Sequence, residues 1–152
     1  MNYQACWVQL PLVVRDNANI RVTTPGQVAR VCQDLRGLAQ ECFQALTLNT
    51  NNRLINRHLV TLGLVDTSLV HSREVFRCAI LDNAAAVILV HNHPSGDPNP
   101  SASDIRTTKG LVDSGRILDI EVLDHIIIGA SDTTNGGEGF VSLRESGQVD
   151  FT

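Results

Sequence analysis

The sequence predicts an α/β domain, in which a mixed β-sheet is flanked by helices. Short apolar runs of strand length recur along the chain. They alternate with segments whose apolar residues are three or four positions apart, as on one face of a helix. Interleaved strands and helices of this kind pack as layers around a sheet. With 152 residues the chain is long enough to bury a core, and we expect residues 1–152 to form a single domain.

The first forty residues contain strand signals followed by one helix signal. We expect N-terminal strands within residues 1–24, because Trp7–Val14 and Ile20–Thr23 are rich in β-forming residues. A helix then begins, with Thr24 as its cap and Pro25 in its first turn. The apolar residues expected to face the core follow at helical intervals: Val28, Val31, Leu35 and Leu38.

Strands and helices alternate through the rest of the chain. The predicted strands are Cys42–Asn49, Arg53–Leu64, Ala84–Val90, Glu121–Ile128 and Phe140–Leu143, of which the first two form a hairpin. The predicted helices are Ser72–Leu81 and Ser101–Leu118. Their core-facing residues are Val75, Phe76, Ala79 and Ile80 in the first and Ile105, Leu111, Val112 and Leu118 in the second. Residues 129–139 are rich in Gly, Ser, Thr and Asp, which indicates a loop.

Composition and charge argue against several classes of protein. The net charge is −4 and the chain has no run of lysine or arginine, which is unlike a stand-alone nucleic-acid-binding module. The longest apolar run is far shorter than the ~20 residues of a membrane span. The first residues also lack the pattern of a secretory signal. The four cysteines are scattered, with no C-x-x-C pair. We therefore expect a cytoplasmic protein with free thiols and no membrane partner.

A candidate metal site lies where the third predicted strand ends. This strand delivers two histidines, His91 and His93, to its end. Because strand side chains alternate in direction, both can point into one pocket while Asn92 points away. After a loop with three prolines, Ser101 and Asp104 open the next helix. Two imidazoles and one carboxylate are a usual ligand set for catalytic zinc. The stretch therefore predicts a metal-dependent hydrolase site.

Two other interpretations of these residues remain open at the level of the sequence. Ser101-x-x-Asp104 also has the spacing of a capping box, which needs no metal. The two roles are compatible, because a cap brings both side chains to the mouth of the site.

The letters His91-Asn92-His93 also suggest an HNH nuclease. That site needs a further metal-binding histidine or asparagine on the helix after the loop. Residues 105–118 contain neither residue type, so the sequence disfavours a nuclease.

The same residues resemble a known motif. His91-x-His93-Pro94, with Ser101 ten positions after His91 and Asp104 three further on, resembles the JAMM motif of the JAB/MPN metalloprotease superfamily. The longer string HNHPSGDPNPSASD is similar to the RadC-type JAB branch in bacteria. Further strings that resemble this branch are NTNNRLI at 49–55, HSREVFRCAI at 71–80 and LDHIIIG at 123–129. The resemblance covers residues 41–143.

The resemblance implies an MPN fold that holds one zinc ion per chain. In the JAMM pattern the two histidines and the aspartate bind zinc, which corresponds here to His91, His93 and Asp104. The serine, here Ser101, supports the tetrahedral intermediate, and an upstream glutamate activates water. The implied activity is hydrolysis of peptide or isopeptide bonds in a peptide or protein substrate in the bacterial cytoplasm. The runner-up is a non-catalytic MPN-type interaction domain, although this chain keeps every ligand.

The glutamate has to be assigned from its context in the chain. Family members carry it at a helix-to-strand junction just before a core strand. Glu41, between the first helix and the strand that begins at Cys42, fits that context. Glu74 is the alternative base, since it lies in the helix that leads to the histidine strand. An acid near a helix N-terminus is, however, also favoured by the helix dipole. We predict Glu41 as the general base.

Three further histidines need an interpretation. Asp124-His125 is an acid and an imidazole on the strand after the active-site helix. The pair either supports a ligand histidine by hydrogen bonding or is an ordinary strand-end pair. We expect His58 and His71 to have surface or structural roles.

Many RadC-type proteins carry an N-terminal helix-hairpin-helix module that binds DNA without sequence specificity. We find no such repeat in residues 1–40 of this chain. The repair-protein name of the family motivates a role on or near DNA, but we do not expect nucleic acid to be a partner of this chain alone.

Overall fold

A five-stranded sheet forms the centre of the protein. The computed structural model describes residues 20–63, 70–130 and 139–152. Within these ranges the strands are β1 (Cys42–Leu48), β2 (Leu54–Leu62), β3 (Ala86–Asn92), β4 (Glu121–Ile128) and β5 (Phe140–Ser142). Their order across the sheet is β2-β1-β3-β4-β5. Only β3 and β4 pair in parallel, and the other pairs are antiparallel. The predicted mixed α/β fold is confirmed.

Helices cover both faces of this sheet. They are α1 (Pro25–Val31), a short 3-10 turn (Gln33–Leu35), α2 (Ser72–Leu81) and α3 (Ala102–Leu118). Because strand residues alternate in direction, β1 and β3 contribute to two separate cores. Phe43, Val87 and Leu89 pack with apolar residues of α2 and α3 on one face. Leu46 and Val90 pack with residues of α1 on the other. The helix α3 makes the crossover that a parallel pair such as β3 and β4 requires.

Several element boundaries match the prediction from sequence. Helix α2 and strand β4 have the predicted limits. Helix α1 begins at Pro25 behind a capping box in which the Thr24 side chain accepts from the backbone N–H of Gln27.

The predicted continuation of the first helix to Leu38 is wrong. The α-helix ends at Val31, and the chain continues through the 3-10 turn to Gly37, whose φ of 132° is incompatible with a helix. Leu35 is still buried, but Leu38 lies beyond the turn and is 39% exposed. Helical spacing in the sequence therefore persisted past the physical end of the helix.

Two residues predicted to face the core are exposed. Ile80 is 59% exposed and Leu118 is 43% exposed. Each lies in the last turn of its helix, at the rim of the apolar face, where the neighbouring helix and the sheet no longer cover it.

Strand β3 begins and ends two residues later than predicted. Its ladders with both neighbours continue past the apolar run, since His91 pairs with Phe43 on one side and Ile127 on the other. The first ligand histidine is thus held inside the sheet.

Some predictions fall on residues that are only partly described. The predicted strand Trp7–Val14 lies outside the described residues, and so do residues 131–138 of the predicted loop. Of the segment Ile20–Thr23, Arg21 forms an isolated antiparallel bridge with Arg53. Within the described ranges, no helix combines the length and the apolar character needed to cross a membrane.

Candidate metal centre

Three predicted ligands converge where β3 ends and α3 begins. The Nε2 atoms of His91 and His93 are 2.9 Å apart. His91 Nε2 lies 3.3 Å from Asp104 Oδ1, and His93 Nε2 lies 3.4 Å from Asp104 Oδ2. One donor atom from each residue lies within 4.8 Å of the others, so the group could hold a metal ion. The structure thus brings together side chains that are up to thirteen positions apart in the sequence.

Strand alternation accounts for the two histidines. His91 in β3 and His93 just past its end lie on one side, and the side chain of Asn92 lies on the other. The Asn92 Oδ1 accepts from Cys42 N at 2.8 Å, and its Nδ2 donates to Gln40 O at 3.0 Å. The Asn92 amide therefore fixes both peptide groups that flank Glu41.

A capping box accounts for Asp104. Ser101 Oγ accepts from Asp104 N at 3.1 Å, and Asp104 Oδ2 accepts from both the backbone N–H and the hydroxyl of Ser101, each at 2.7 Å. Capping thus engages only one of the two carboxylate oxygens. The other, Oδ1, remains available to the site.

The residues present fit a metal ion. Asp104 Oδ1 is buried and has no hydrogen-bond partner among the described residues, a costly arrangement for a carboxylate oxygen. His93 Nδ1 lies 2.7 Å from the carbonyl oxygen of Asp97, which can only accept. Nδ1 therefore carries a proton, and in the neutral ring Nε2 has a lone pair that faces the site. Nitrogen and oxygen donors of this kind suit zinc.

The electrostatic environment favours the protonation states that a metal needs at two of the three residues. Burial opposes the ionised form of Asp104, but the imidazoles of His91 and His93 outweigh it and hold the pKa of Asp104 far below its usual value. Burial lowers the pKa of His91, which is completely enclosed. Burial also opposes a charge on His93, but the carboxylates of Asp104 and Glu41 raise its pKa. Metal binding requires ionised carboxylates and neutral imidazoles, which is the state favoured for Asp104 and His91.

The two candidate bases lie in different surroundings. Glu41 is half-buried, immediately before β1, and its charge contributes to the raised pKa of His93. Glu74 lies in the first turn of α2 and lines a surface groove with Leu59, Arg77 and others.

The Asp124-His125 pair divides between the two faces of the sheet. His125 is completely buried, and its Nε2 lies 2.8 Å from His91 Nδ1. The Asp124 carboxylate instead accepts from the backbone N–H of His125 and of Arg144, at 2.7 and 3.1 Å, and from the Ser142 hydroxyl at 2.6 Å. Only His125 contacts a candidate ligand.

Sequence reasoning missed Thr108. Its hydroxyl lies 2.6 Å from His125 Nδ1 and donates to the carbonyl of Asp104 at 2.6 Å. The available signal was its position four residues after Asp104, on the same side of α3. Of the other histidines, His58 pairs with Asp82 at 2.6 Å, and His71 precedes α2 without a capping side-chain bond.

Gly129 packs closely against the proline loop that carries Asp97. A Cβ on Gly129 would collide with Gly96 O and come within 2.8 Å of Pro98 Cδ. Ala130 N also donates to Gly96 O at 2.9 Å. The loop is therefore seated directly on the backbone at the end of β4.

We expect Gly129→Ala to lower the free energy of unfolding by about 1–3 kcal/mol, because the added methyl overpacks this contact. Denaturant unfolding measures the change. Gly110→Ala is the matched control, because α3 leaves open space around that position and alanine favours a helix. Equal stability of Gly129→Ala and the wild type would contradict the close approach.

A mixed sheet that carries two histidines and an aspartate at a strand-to-helix junction defines an α/β domain with a candidate metal centre. The chain belongs to the RadC-like JAB domain family, whose model matches residues 22–148. The predicted family is confirmed.

Relatives in several bacteria are similar to most of the chain. A UPF0758 protein of Caldanaerobacter subterraneus subsp. tengcongensis is 46% identical over 134 residues, which cover 88% of this chain and 54% of that protein. One of Geobacillus thermodenitrificans is 52% identical over 119 residues, covering 78% and 50%. One of Bacillus mycoides is 51% identical over 117 residues, covering 77% and 49%. The chain spans about half the length of the curated relatives it matches.

Proposed function

We propose that this domain is a zinc-dependent hydrolase of peptidase type, which cleaves peptide or isopeptide bonds in a peptide or protein substrate. One observation carries the proposal. The Nε2 atoms of two histidines meet a buried carboxylate oxygen that has no hydrogen-bond partner among the described residues. Membership of the RadC-like JAB family supports the same chemistry.

His91, His93 and Asp104 are the proposed zinc ligands. Zinc held by three protein ligands supplies a Lewis acid that makes water nucleophilic near neutral pH. The domain's other residues then have to move protons and stabilise the oxygen of the attacked carbonyl.

Glu41 is the proposed general base. It accepts a proton from the attacking water and returns it to the leaving amine. Two observations favour it over Glu74. The charge of Glu41 contributes to the raised pKa of His93. The Asn92 amide hydrogen-bonds the backbone on both sides of Glu41, which places Glu41 next to β3, the strand that contains His91.

Ser101 is the proposed donor to the oxyanion. A hydroxyl has one proton, and Ser101 donates it in a hydrogen bond to Asp104 Oδ2. Ser101 can donate to substrate only when its hydroxyl rotates away from Asp104. Its backbone N–H still holds Oδ2 in that state, so the capping contact is only partly lost.

Metal analysis of purified protein tests the ligand assignment. We expect about one zinc ion per chain in the wild type, and loss of zinc from both His91→Ala and Asp104→Ala. His71→Ala is the control, because His71 is an exposed histidine outside the site. Full zinc content in both ligand variants would overturn the assignment.

A further inference from the structure

A chain of hydrogen bonds lies behind the candidate ligands. His91 Nδ1 is 2.8 Å from His125 Nε2, and His125 Nδ1 is 2.6 Å from Thr108 Oγ1. Thr108 Oγ1 in turn donates to the backbone carbonyl of Asp104 at 2.6 Å. All four residues are at most 1% exposed. The chain of hydrogen bonds therefore joins two of the three ligands through groups that water does not reach.

The direction of each hydrogen bond follows from the last group of the chain, the Asp104 carbonyl. The Asp104 carbonyl can only accept, so it takes the single hydroxyl proton of Thr108. The Thr108 oxygen must then accept from His125, whose Nδ1 carries a proton. The His125 side chain is completely buried and makes no hydrogen bond to a carboxylate in this chain of bonds, so a positive charge on it would be left without a partner. The imidazole of His125 is therefore neutral, and its Nε2 accepts from His91 Nδ1.

We propose that Thr108 and His125 are positioning residues that hold His91 in the tautomer protonated on Nδ1, so that the lone pair on Nε2 faces Asp104 and His93. The inference rests on the proposed metal site for its use, and on the hydrogen-bond geometry alone for the tautomer. Phe43 restrains both rings from one side, stacked on His91 at 5.8 Å and edge-on to His125 at 5.4 Å.

This arrangement differs from the usual support of a ligand histidine. The second nitrogen of such a ring commonly donates to a carboxylate, a carbonyl or water. A carboxylate or a carbonyl can only accept, whereas a second histidine can either accept or donate. His125 can adopt either tautomer, and only one of them accepts from His91. Thr108 selects that one. His93 has the simpler arrangement, with the Asp97 carbonyl as its acceptor.

Thr108→Val tests the inference, because valine keeps the shape and removes the hydroxyl. His125 then loses the acceptor for Nδ1–H and is free to carry its proton on Nε2. In that tautomer it donates to His91 Nδ1, and the proton of His91 moves to the nitrogen that faces the site. We expect zinc affinity, measured by competition with a chromophoric chelator, to fall about 10- to 100-fold.

Two further variants separate this role from general packing. Thr108→Ser keeps the hydroxyl and should restore affinity to nearly the wild-type value. Thr107→Val makes the same change one position along α3, where the side chain lines a surface groove with Ser72 and Gly110, and should leave affinity unchanged. Wild-type affinity in Thr108→Val, or a loss in Thr108→Ser equal to that in Thr108→Val, would overturn the inference.

Nitrogen-15 NMR of the histidine rings in metal-free protein gives a readout that a packing defect would not move. We expect His91 and His125 protonated on Nδ1 in the wild type, and a shift of both toward Nε2 in Thr108→Val. His91 protonated on Nε2 in the wild type would overturn the inference. A wild type that shows the expected tautomers but binds no zinc would instead overturn the proposed function.

Discussion

Glu41→Gln is expected to lower the turnover number about 10²- to 10⁴-fold while zinc content stays at the wild-type level. The substitution keeps the size of the side chain and removes its ability to take a proton. It leaves the backbone bonds of Asn92 to Cys42 N and Gln40 O in place. Hydrolysis of a peptide library, followed by mass spectrometry with metal analysis in parallel, measures both quantities.

Glu74→Gln is the matched control for this experiment. Glu74 lies on the groove beside Arg77, and we expect the variant to have wild-type turnover. A loss in Glu74→Gln with full activity in Glu41→Gln would move the base to α2. Full activity in both variants would show that neither glutamate is the base, whereas no hydrolysis by the zinc-loaded wild type would favour a non-catalytic interaction domain.

Zinc is expected to stabilise the metal-free protein by about 4 kcal/mol when its free concentration is a thousand times the dissociation constant. The ion binds the folded chain at a site that the unfolded chain does not possess. Asp104→Asn should abolish this stabilisation, because the amide lacks the charge of the buried carboxylate. The same amide oxygen can still accept from Ser101, so the cap of α3 is retained. Unfolding measured with and without zinc gives the difference.

Asp97→Asn serves as the control for the loss of charge. Asp97 is exposed, and its side chain accepts from Asn99, whereas only its backbone carbonyl reaches His93. We expect zinc to stabilise this variant as it does the wild type. If Asp104→Asn also kept the full stabilisation, the buried carboxylate would not be a ligand.

Local rules of geometry predicted the parts of the site that depend on neighbours in sequence. Alternation along a strand brings His91 and His93 to one side, and capping-box spacing predicts the Ser101–Asp104 contact that the structure contains. The fold class followed from the same kind of periodicity. Each of these features is set by the chain within a few residues, so the sequence alone carries it.

Features that depend on tertiary packing were not accessible in this way. The bond between His125 and His91 joins residues 34 positions apart, and that between His125 and Thr108 joins residues 17 apart. The first depends on how β3 pairs with β4, and the second on how α3 lies against β4. The exposure of Ile80 has the same origin, because helical spacing does not reveal where a neighbouring element stops covering a surface. Glu41 could be assigned only from context, since it lies far from the ligand histidines in the sequence.

The central claim is that His91, His93 and Asp104 bind the zinc ion of a hydrolase. A crystal structure of zinc-loaded protein, with the metal located by anomalous scattering, tests it most directly. We predict a single site with both Nε2 atoms at about 2.0–2.1 Å and an Asp104 oxygen at about 2.0–2.2 Å from the metal. A zinc ion bound instead through cysteine sulfur, or a protein that takes up no zinc at this site, would contradict the account.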